Sequence, residues 1–460
     1  MTATTVRTAP VTASGPPGAR GPRRAVRSRA GHPGPSPLRR LRGQAGSALL
    51  LVAALLAVAL TAFGAARSDL HRLADVSEPR AVAAADLDRA LADLDAQHAD
   101  ELVVGYSTVP PPPGQPPTLV DDGVLAELTA LADRSRVDAD LTALAAAGPA
   151  DGRSVQALLD GLSRYDSLSG TEEFSATSQA DPIVGRPPDL ALDYYDQAEG
   201  ELQQSLLPQV HALLDAAQQQ VDRDRDAAQR DSRLGALALG LLGPAALALL
   251  VWWQLDLTRR HRRVFNPALL LATAAVLAVA LSGVLVLLGA AAEVGSAVSG
   301  GYSRYAATAQ AQVEAADAEA SESRWLVDDA YRPLLRQQYA DLMATLGGRS
   351  DPDAGLPAVV RTRTAYLAAD AQLRSLAGSG ALDQASVQLT GVTRGEVAFA
   401  YYDFSSQLDQ LAQQQLVVAA THFGSAVDGL SGWTVLPSVL LGVALLLVLA
   451  GVRPRLAEFA

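Results

Sequence analysis

The chain has 460 residues, a formal net charge of −12 and no cysteine. The lack of cysteine excludes disulfides, thiolate nucleophiles and cysteine–metal sites. Hydrophobic residues make up 49% of the sequence and aromatic residues only 5%, so most of the apolar mass is Ala, Leu and Val. This composition excludes disorder throughout and favours helices over strands.

The first 44 residues carry nine arginines and no acidic residue, and they are rich in Pro and Gly. Few of their side chains are able to pack in a core. The composition therefore predicts a disordered tail over residues 1–44. Its positive charge suits the anionic inner surface of a membrane better than nucleic acid.

Four apolar runs without a charged side chain are long enough to cross a bilayer, which takes about 20 residues. They predict transmembrane helices over residues 45–66, 234–255, 267–291 and 433–452. Cleavage of the first run as a signal peptide is the alternative. Its length and the long leader before it argue against cleavage, because secretory apolar regions are shorter.

Arginines flank these runs on one side only: before the first, between the second and third, and after the fourth. Basic flanks stay in the cytoplasm, so the tail, the hairpin 256–266, the end 453–460 and both termini are predicted there. The protein is then a multi-pass cell-membrane protein. Candidate contacts of the hairpin with lipids or a cytoplasmic partner are Arg259, Arg260, Arg262 and Arg263. A loop held at both ends is unsuited to reading DNA, so no nucleic acid is expected.

The remaining segments, residues 67–233 and 292–432, are acidic; the first has 13 basic and 31 acidic residues. Apolar residues at helical spacing, such as Leu87, Leu91 and Leu94, predict helices with one buried face. The stretch 67–104 is long enough for a stalk of about 57 Å. Further helices are predicted near 122–148, 151–166, 331–346 and 355–377, and a polyproline connector between the first two elements.

The order of elements suggests a tandem duplication. A Tyr-Tyr-Asp sequence recurs in "LDYYDQAEGELQQ" and "FAYYDFSSQLDQL", and a Leu-Val pair follows the first and third runs at similar distances. The predicted fold class is all-α: a polytopic membrane protein with four transmembrane helices and two extracytoplasmic helical bundles on long stalk helices.

One tyrosine of each pair is predicted on the bundle seam and the other at its edge, where a phenol ring packs and its hydroxyl reaches a partner. Core packing is the favoured interpretation, and a ligand or partner pocket is the alternative, with an arginine in "VGRPPD" as a carboxylate anchor. The candidate contacts are Tyr194, Tyr195, Asp196, Arg186, Tyr401, Tyr402 and Asp403.

No motif predicts chemistry. The six histidines are scattered without metal-ligand spacing, and no P-loop, GxSxG or kinase signature occurs. Adjacent acids such as Glu172 and Glu173 are interpreted as solvated surface. We therefore expect no enzyme activity, no cofactor and no metal. Transport is disfavoured because the apolar runs carry no ionisable group.

Stalk helices around a small extracytoplasmic bundle resemble the sensing modules of bacterial chemoreceptors and sensor kinases. "YDSLSG" and "DPIVGRPPDLALDYYDQAEGELQQSLLP", with the four-run layout, also resemble the actinobacterial GlnX family. That family is encoded with a glutamine-binding lipoprotein, GlnH, and a cytoplasmic serine/threonine kinase, PknG. Here Gln179, Ala180 and Asp181 depart from the family pattern.

The leading hypothesis is a non-enzymatic signal transducer. By the resemblance it senses amino-acid availability through a binding lipoprotein and relays it to a cytoplasmic Ser/Thr kinase, since no output domain follows the apolar runs. The alternatives are a structural or interaction protein of the cell envelope and, less favoured, a transport-associated subunit. Membrane lipids and further copies of the chain are the other candidate partners.

Overall fold

A computed structural model of the protein describes residues 37–104, 119–147, 152–178, 185–261, 267–348 and 356–457. These residues form helices and no strand, which confirms the all-α fold class. The helices are α1 (Pro37–Arg72), α2 (Glu78–Val104), α3 (Leu119–Ala147), α4 (Gly152–Thr177), α5 (Asp189–Glu201), α6 (Leu207–His261), α7 (Pro267–Ser296), α8 (Ser303–Val327), α9 (Arg332–Gly348), α10 (Pro357–Gly378), α11 (Leu382–Thr390), α12 (Val397–Leu430) and α13 (Leu436–Ala457).

Three short π-helical segments join consecutive helices without a break: π1 (Leu73–Ser77), π2 (Leu202–Leu206) and π3 (Ala297–Tyr302). The first two end two residues before Pro79 and Pro208. A proline lacks a backbone N–H and its ring clashes with the carbonyl four residues earlier, so a widened turn accommodates it. A π-helical turn therefore precedes each of these two prolines.

The apolar ends of the long helices form one bundle, in which α1 packs on α6 and α13, and α7 packs on the same two helices. Small residues bring the helices close: a Cβ built on Gly243 would lie 2.5 Å from Cβ of Ala280, and one on Gly235 would lie 2.7 Å from Cβ of Ala62. Close backbone approach at small residues is typical of helices packed within a membrane. We call this part the spanning bundle.

Large apolar side chains cover the outside of the spanning bundle on all four helices, among them Leu50 on α1, Leu241 on α6, Leu281 on α7 and Leu446 on α13. Such a continuous apolar surface is unfavourable in water and favourable in lipid. Three continuous helices, Gly43–Val103, Asp189–Arg259 and Pro267–Val327, are long and apolar enough to cross a membrane. The apolar helix Leu436–Gly451 is shorter, so the four-span count stays a prediction.

The polar segments 67–233 and 292–432 form what we call the head. Its centre is α2, which packs along both α3 and α8, while α8 also contacts α9 and α12. One hydrophobic core joins residues of both segments, for example Leu102 and Tyr195 with Leu326 and Tyr401. The two predicted bundles are thus two halves of the head that share part of their core, and both central helices are buried on nearly all sides.

Two boundaries differ from the sequence expectation. Helix α1 begins at Pro37, inside the stretch 1–44 that composition predicts to be disordered, because the apolar run that follows allows a helix to extend back over it. Helix α6 continues to His261 and α7 begins at Pro267, which shortens the hairpin 256–266. The rest of the tail, the polyproline connector and Arg262 with Arg263 lie outside the described residues.

Candidate functional site: two cavities between the halves of the head

The second tyrosine of the first Tyr-Tyr-Asp sequence is buried and faces α2. Tyr195 is 3% exposed, and its hydroxyl donates to Oδ1 of Asp95 at 3.3 Å. One helical turn further along α2, the Tyr165 hydroxyl lies 2.8 Å from Nδ1 of His98, with the two rings stacked. Burial lowers the pKa of His98 to about 4, so this imidazole is neutral at neutral pH.

The second half repeats this arrangement on α8. The Tyr401 hydroxyl hydrogen-bonds Glu319, and the Tyr366 hydroxyl donates to Oε2 of Glu322. Burial is the main cause that raises the pKa of both carboxyl groups well above the usual range. The acids on α8 are therefore protonated more readily than exposed ones.

The contacts give the duplication a common register. The spacing is the same in Asp95, His98 and Leu102 on α2 as in Glu319, Glu322 and Leu326 on α8. In each half, the side chains at the first and second of these positions each contact a different tyrosine hydroxyl. Leu102 and Leu326 are both buried in the shared core. The Leu-Val pairs noticed in the sequence are thus equivalent positions of two similar units.

A cavity of about 480 Å³ lies where α12 faces α2, α3 and α8, and we call it the α12 cavity. Its walls carry the carboxyl groups of Asp93, Asp100, Asp133, Glu319 and Asp409, the guanidinium groups of Arg89 and Arg136, and the rings of Phe399, Tyr401 and Tyr402. Helices from both halves contribute to it. A ligand here would therefore touch both halves at once.

A second cavity, of about 310 Å³, lies where α5 and π2 face α8 and α9; we call it the α5 cavity. Tyr195, Asp196 and Glu199 line one side, and Arg324 and Asp328 line the other. Arg324 is nearly buried and forms an ion pair with Glu199. Burial and the charges of Asp328 and Asp193 raise the pKa of Asp196.

The tyrosine motifs thus lie at these cavities, one buried ring in each half. Tyr195 and Tyr401 fill the seam, whereas Tyr194 is half-buried and Tyr402 is 69% exposed. Asp403 is exposed and does not line the α12 cavity. The seam-and-edge arrangement expected from helical spacing is what the structure shows.

The arginine predicted as a carboxylate anchor lies elsewhere. Arg186 is exposed on the turn after Gly185 and lines neither cavity, because the chain there runs past the end of α2, where Gly185 N–H donates to the carbonyl of Val103 at 3.0 Å. Of the hairpin residues, Arg259 is exposed near the end of α6. Nothing further is described for the side chains of the other three.

Sequence reasoning missed the buried acids. Glu172, interpreted as solvated surface, is 1% exposed, and burial together with Glu101 and Glu173 raises its pKa to about 9. Asp93 and Asp100 on α2 belong to the segment described above only as acidic. The available signal was that "LADLDAQHADE" places acids on every face of an alanine-rich helix, leaving no face that is only apolar.

Comparison with known protein families gives a match over part of the chain. Residues 69–226 match the family model described as the actinobacterial sensor domain. The match begins at the end of α1 and ends within α6, so it covers the first half of the head. Neither the search of curated proteins nor that of solved structures found a match. The match supports a sensing role; the specific resemblance to the GlnX family stays a prediction.

Proposed function

We propose that this protein is a membrane-anchored sensor that passes the state of its head through the spanning bundle to a partner on the other side. The observation that carries the proposal is the match of residues 69–226 to a sensor domain whose two ends run without a break into apolar helices, through α1 and α6. A shift of either helix in the head is thereby a shift of a spanning helix.

The cavities give such a shift a cause. Both lie between helices of different halves, so a ligand that fits one relative position of the halves better than another changes the populations of the two. The relay requires two packings that differ by only a few kcal/mol. The turns π1 and π3 lie near the junction of the head with the spanning bundle, whereas π2 lies within the head beside the α5 cavity; such widened turns are often found at functional positions.

By the GlnX resemblance, the cue is amino-acid availability, delivered by a binding lipoprotein, and the receiver is a cytoplasmic Ser/Thr kinase. The structure offers a surface for the first partner: Phe174, near the end of α4, is 71% exposed, and Leu190, near the start of α5, is 56% exposed. Helices α4 and α5 pack together, so these side chains belong to one end of the head. The receiver would meet the arginine hairpin.

The test removes the hairpin charges while keeping the chain in the membrane. We expect a variant with Gln at positions 259, 260, 262 and 263 to retain binding to its extracytoplasmic partner and to lose the Ser/Thr phosphorylation response of the cell to amino-acid supply. Because basic residues also set orientation, labelling of an introduced cysteine in the head must first show unchanged topology. Unchanged phosphorylation in a correctly oriented variant contradicts the relay and leaves an interaction protein of the envelope.

A further inference from the structure

The arginines that line the α12 cavity are already paired. The Arg89 guanidinium lies 3.1 Å from Oδ1 of Asp409 and 3.6 Å from Oδ2 of Asp93. Arg136 forms an ion pair with Asp133. Three of the five carboxyl groups are thereby compensated by cations of the protein itself.

The two remaining carboxyl groups are also buried. Asp100 is 6% exposed and accepts a hydrogen bond from the Ser323 hydroxyl. Glu319 is 2% exposed, and its Oε2 is fully buried without a hydrogen-bond partner among the described residues. Leaving a buried acceptor without a donor costs roughly 1–3 kcal/mol. Glu319, one of the residues that line the cavity, therefore carries a buried acceptor that lacks a donor.

The missing donor has the character of an organic cation. Among the described residues no group of three or more His, Cys, Asp or Glu side chains is arranged to hold a metal ion. A cavity of about 480 Å³ falls in the range that small-molecule sites occupy. Phe399, Tyr401 and Tyr402 add aromatic rings to the wall, and such rings favour a neighbouring cation.

We propose that the α12 cavity binds a small primary aliphatic amine, with its ammonium group between Asp100 and Glu319 and its carbon chain along Phe399 and the two tyrosines. An ammonium group supplies the N–H that Glu319 Oε2 lacks, and its charge favours ionisation of two acids whose protonated forms burial otherwise favours. A quaternary ammonium supplies only the charge. The amine would be the cue, or part of the cue, of the proposed sensor, and in that sense the inference rests on the proposed function.

The other half of the head provides an internal contrast. In the register shared by α2 and α8, the position of Asp100 corresponds to Arg324, which lines the α5 cavity and pairs with Glu199. A guanidinium there already occupies the place that an ammonium ligand would take. The proposal therefore concerns the α12 cavity alone, although the two units are duplicates.

The experiment is titration calorimetry on the full chain in lipid nanodiscs with putrescine, agmatine and butylamine. We expect saturable binding of at least one of these amines and a loss of affinity of about tenfold or more for Glu319→Gln and for Asp100→Asn. Asp328→Asn, at the α5 cavity, is the matched control and should leave affinity unchanged. Tetramethylammonium should bind at least about tenfold more weakly than the best amine.

The proposal is overturned if the calorimetric titration shows no saturable binding of any of the three amines. It is also overturned if the wild type and Glu319→Gln bind the amine with equal affinity. The glutamine is isosteric with Glu319 and removes a buried acid, so a melting temperature at or above that of the wild type shows that the variant is folded. Asp100→Asn serves as the second variant if it is not. Binding is measured without any signalling readout; a protein that binds amine yet relays nothing would contradict the proposed function alone.

Discussion

Tyr195 and Tyr401 show how a single phenol hydroxyl joins two helices of the head, within the first half for Tyr195 and between the halves for Tyr401. Tyr195 on α5 reaches Asp95 on α2, and Tyr401 on α12 reaches Asp93 on the same helix, with its hydroxyl 3.2 Å from Oδ1. Each buried carboxyl group needs such a donor because desolvation penalises its charged form. The neighbouring tyrosines at 194 and 402 lack this role in the described contacts.

Tyr195→Phe should lower the stability of the full chain by about 1–2 kcal/mol, since it leaves the buried Asp95 without the phenol donor while changing no apolar volume. Tyr194→Phe makes the same chemical change at a half-buried ring and should alter stability by less than about 0.5 kcal/mol. Thermal unfolding of both variants in detergent measures the difference. Equal effects would mean that the Tyr195 hydroxyl contributes nothing specific.

At the scale of elements, π3 brings α7 and α8 against α12 at a point where no side chain fits. A Cβ built on Gly301 would lie 2.6 Å from the backbone nitrogen of Ala419, whereas one on Gly300 would meet nothing within 4 Å. Contact with backbone atoms cannot be relieved by a change of rotamer. The junction between head and spanning bundle therefore requires a glycine at position 301 but not at the adjacent position 300.

Gly301→Ala should destabilise the protein by about 1–3 kcal/mol, because two backbones must move apart. The matched variant Gly300→Ala should be neutral or more stable by up to about 1 kcal/mol, since alanine restricts the unfolded chain more than glycine does. Melting temperatures of the two variants, read side by side, test the close approach. A stabilising effect at position 301 would contradict it.

Helices α2 and α3 carry buried acids that make stability depend on pH. Burial raises the pKa of Asp100, Asp133 and Asp140 to about 7, with neighbouring acids adding to the effect for the latter two. The folded protein therefore keeps protons that the unfolded chain releases above its usual carboxyl pKa near 4. Stability contributed by these groups is lost as pH rises from about 4 to about 7.

We expect the melting temperature of the full chain to be about 5 °C or more lower at pH 8 than at pH 5. His211 acts in the same direction, because Asp88 raises its pKa, whereas His98 acts in the opposite direction, because burial lowers its pKa to about 4. Asp100→Asn should reduce the drop, since its amide is neutral at both pH values. A melting temperature that is equal or higher at pH 8 would contradict the claim that buried, protonated acids stabilise the folded protein.

The sequence predicts the helices well and the site poorly, for physical reasons that particular residues show. The positions of the helices follow from two patterns that indicate burial: the apolar spacing on α2 and α12, and the long uncharged runs. The sequence gives no sign that Asp93, Asp100 and Glu319 are buried, because an acidic side chain is normally solvated. Only the packing of α2 against α8 removes water from them, and that contact joins residues of the two halves. Helix α11 was not predicted because it is only nine residues long.

At the scale of the whole molecule, two similar units share a core around α2 and α8, the first half has a further core of its own, and both units stand on one bundle. The spanning helices α1 and α7 enter the two central helices through π1 and π3. Under the proposed function, a displacement between α2 and α8 would move two helices of the spanning bundle together, which is how a ligand between the halves would act as the input.

The central claim is that the head and the arginine hairpin lie on opposite sides of a membrane. Since the chain has no cysteine, single cysteines report position without background. Ser167→Cys in α4 and Ser375→Cys in α10 place an exposed thiol in each half of the head, and Arg259→Cys places one beside the hairpin. In intact cells, a membrane-impermeant maleimide should label both head positions, and should label position 259 only after permeabilisation. Labelling of position 259 in intact cells, or protection of either head position, would contradict the account.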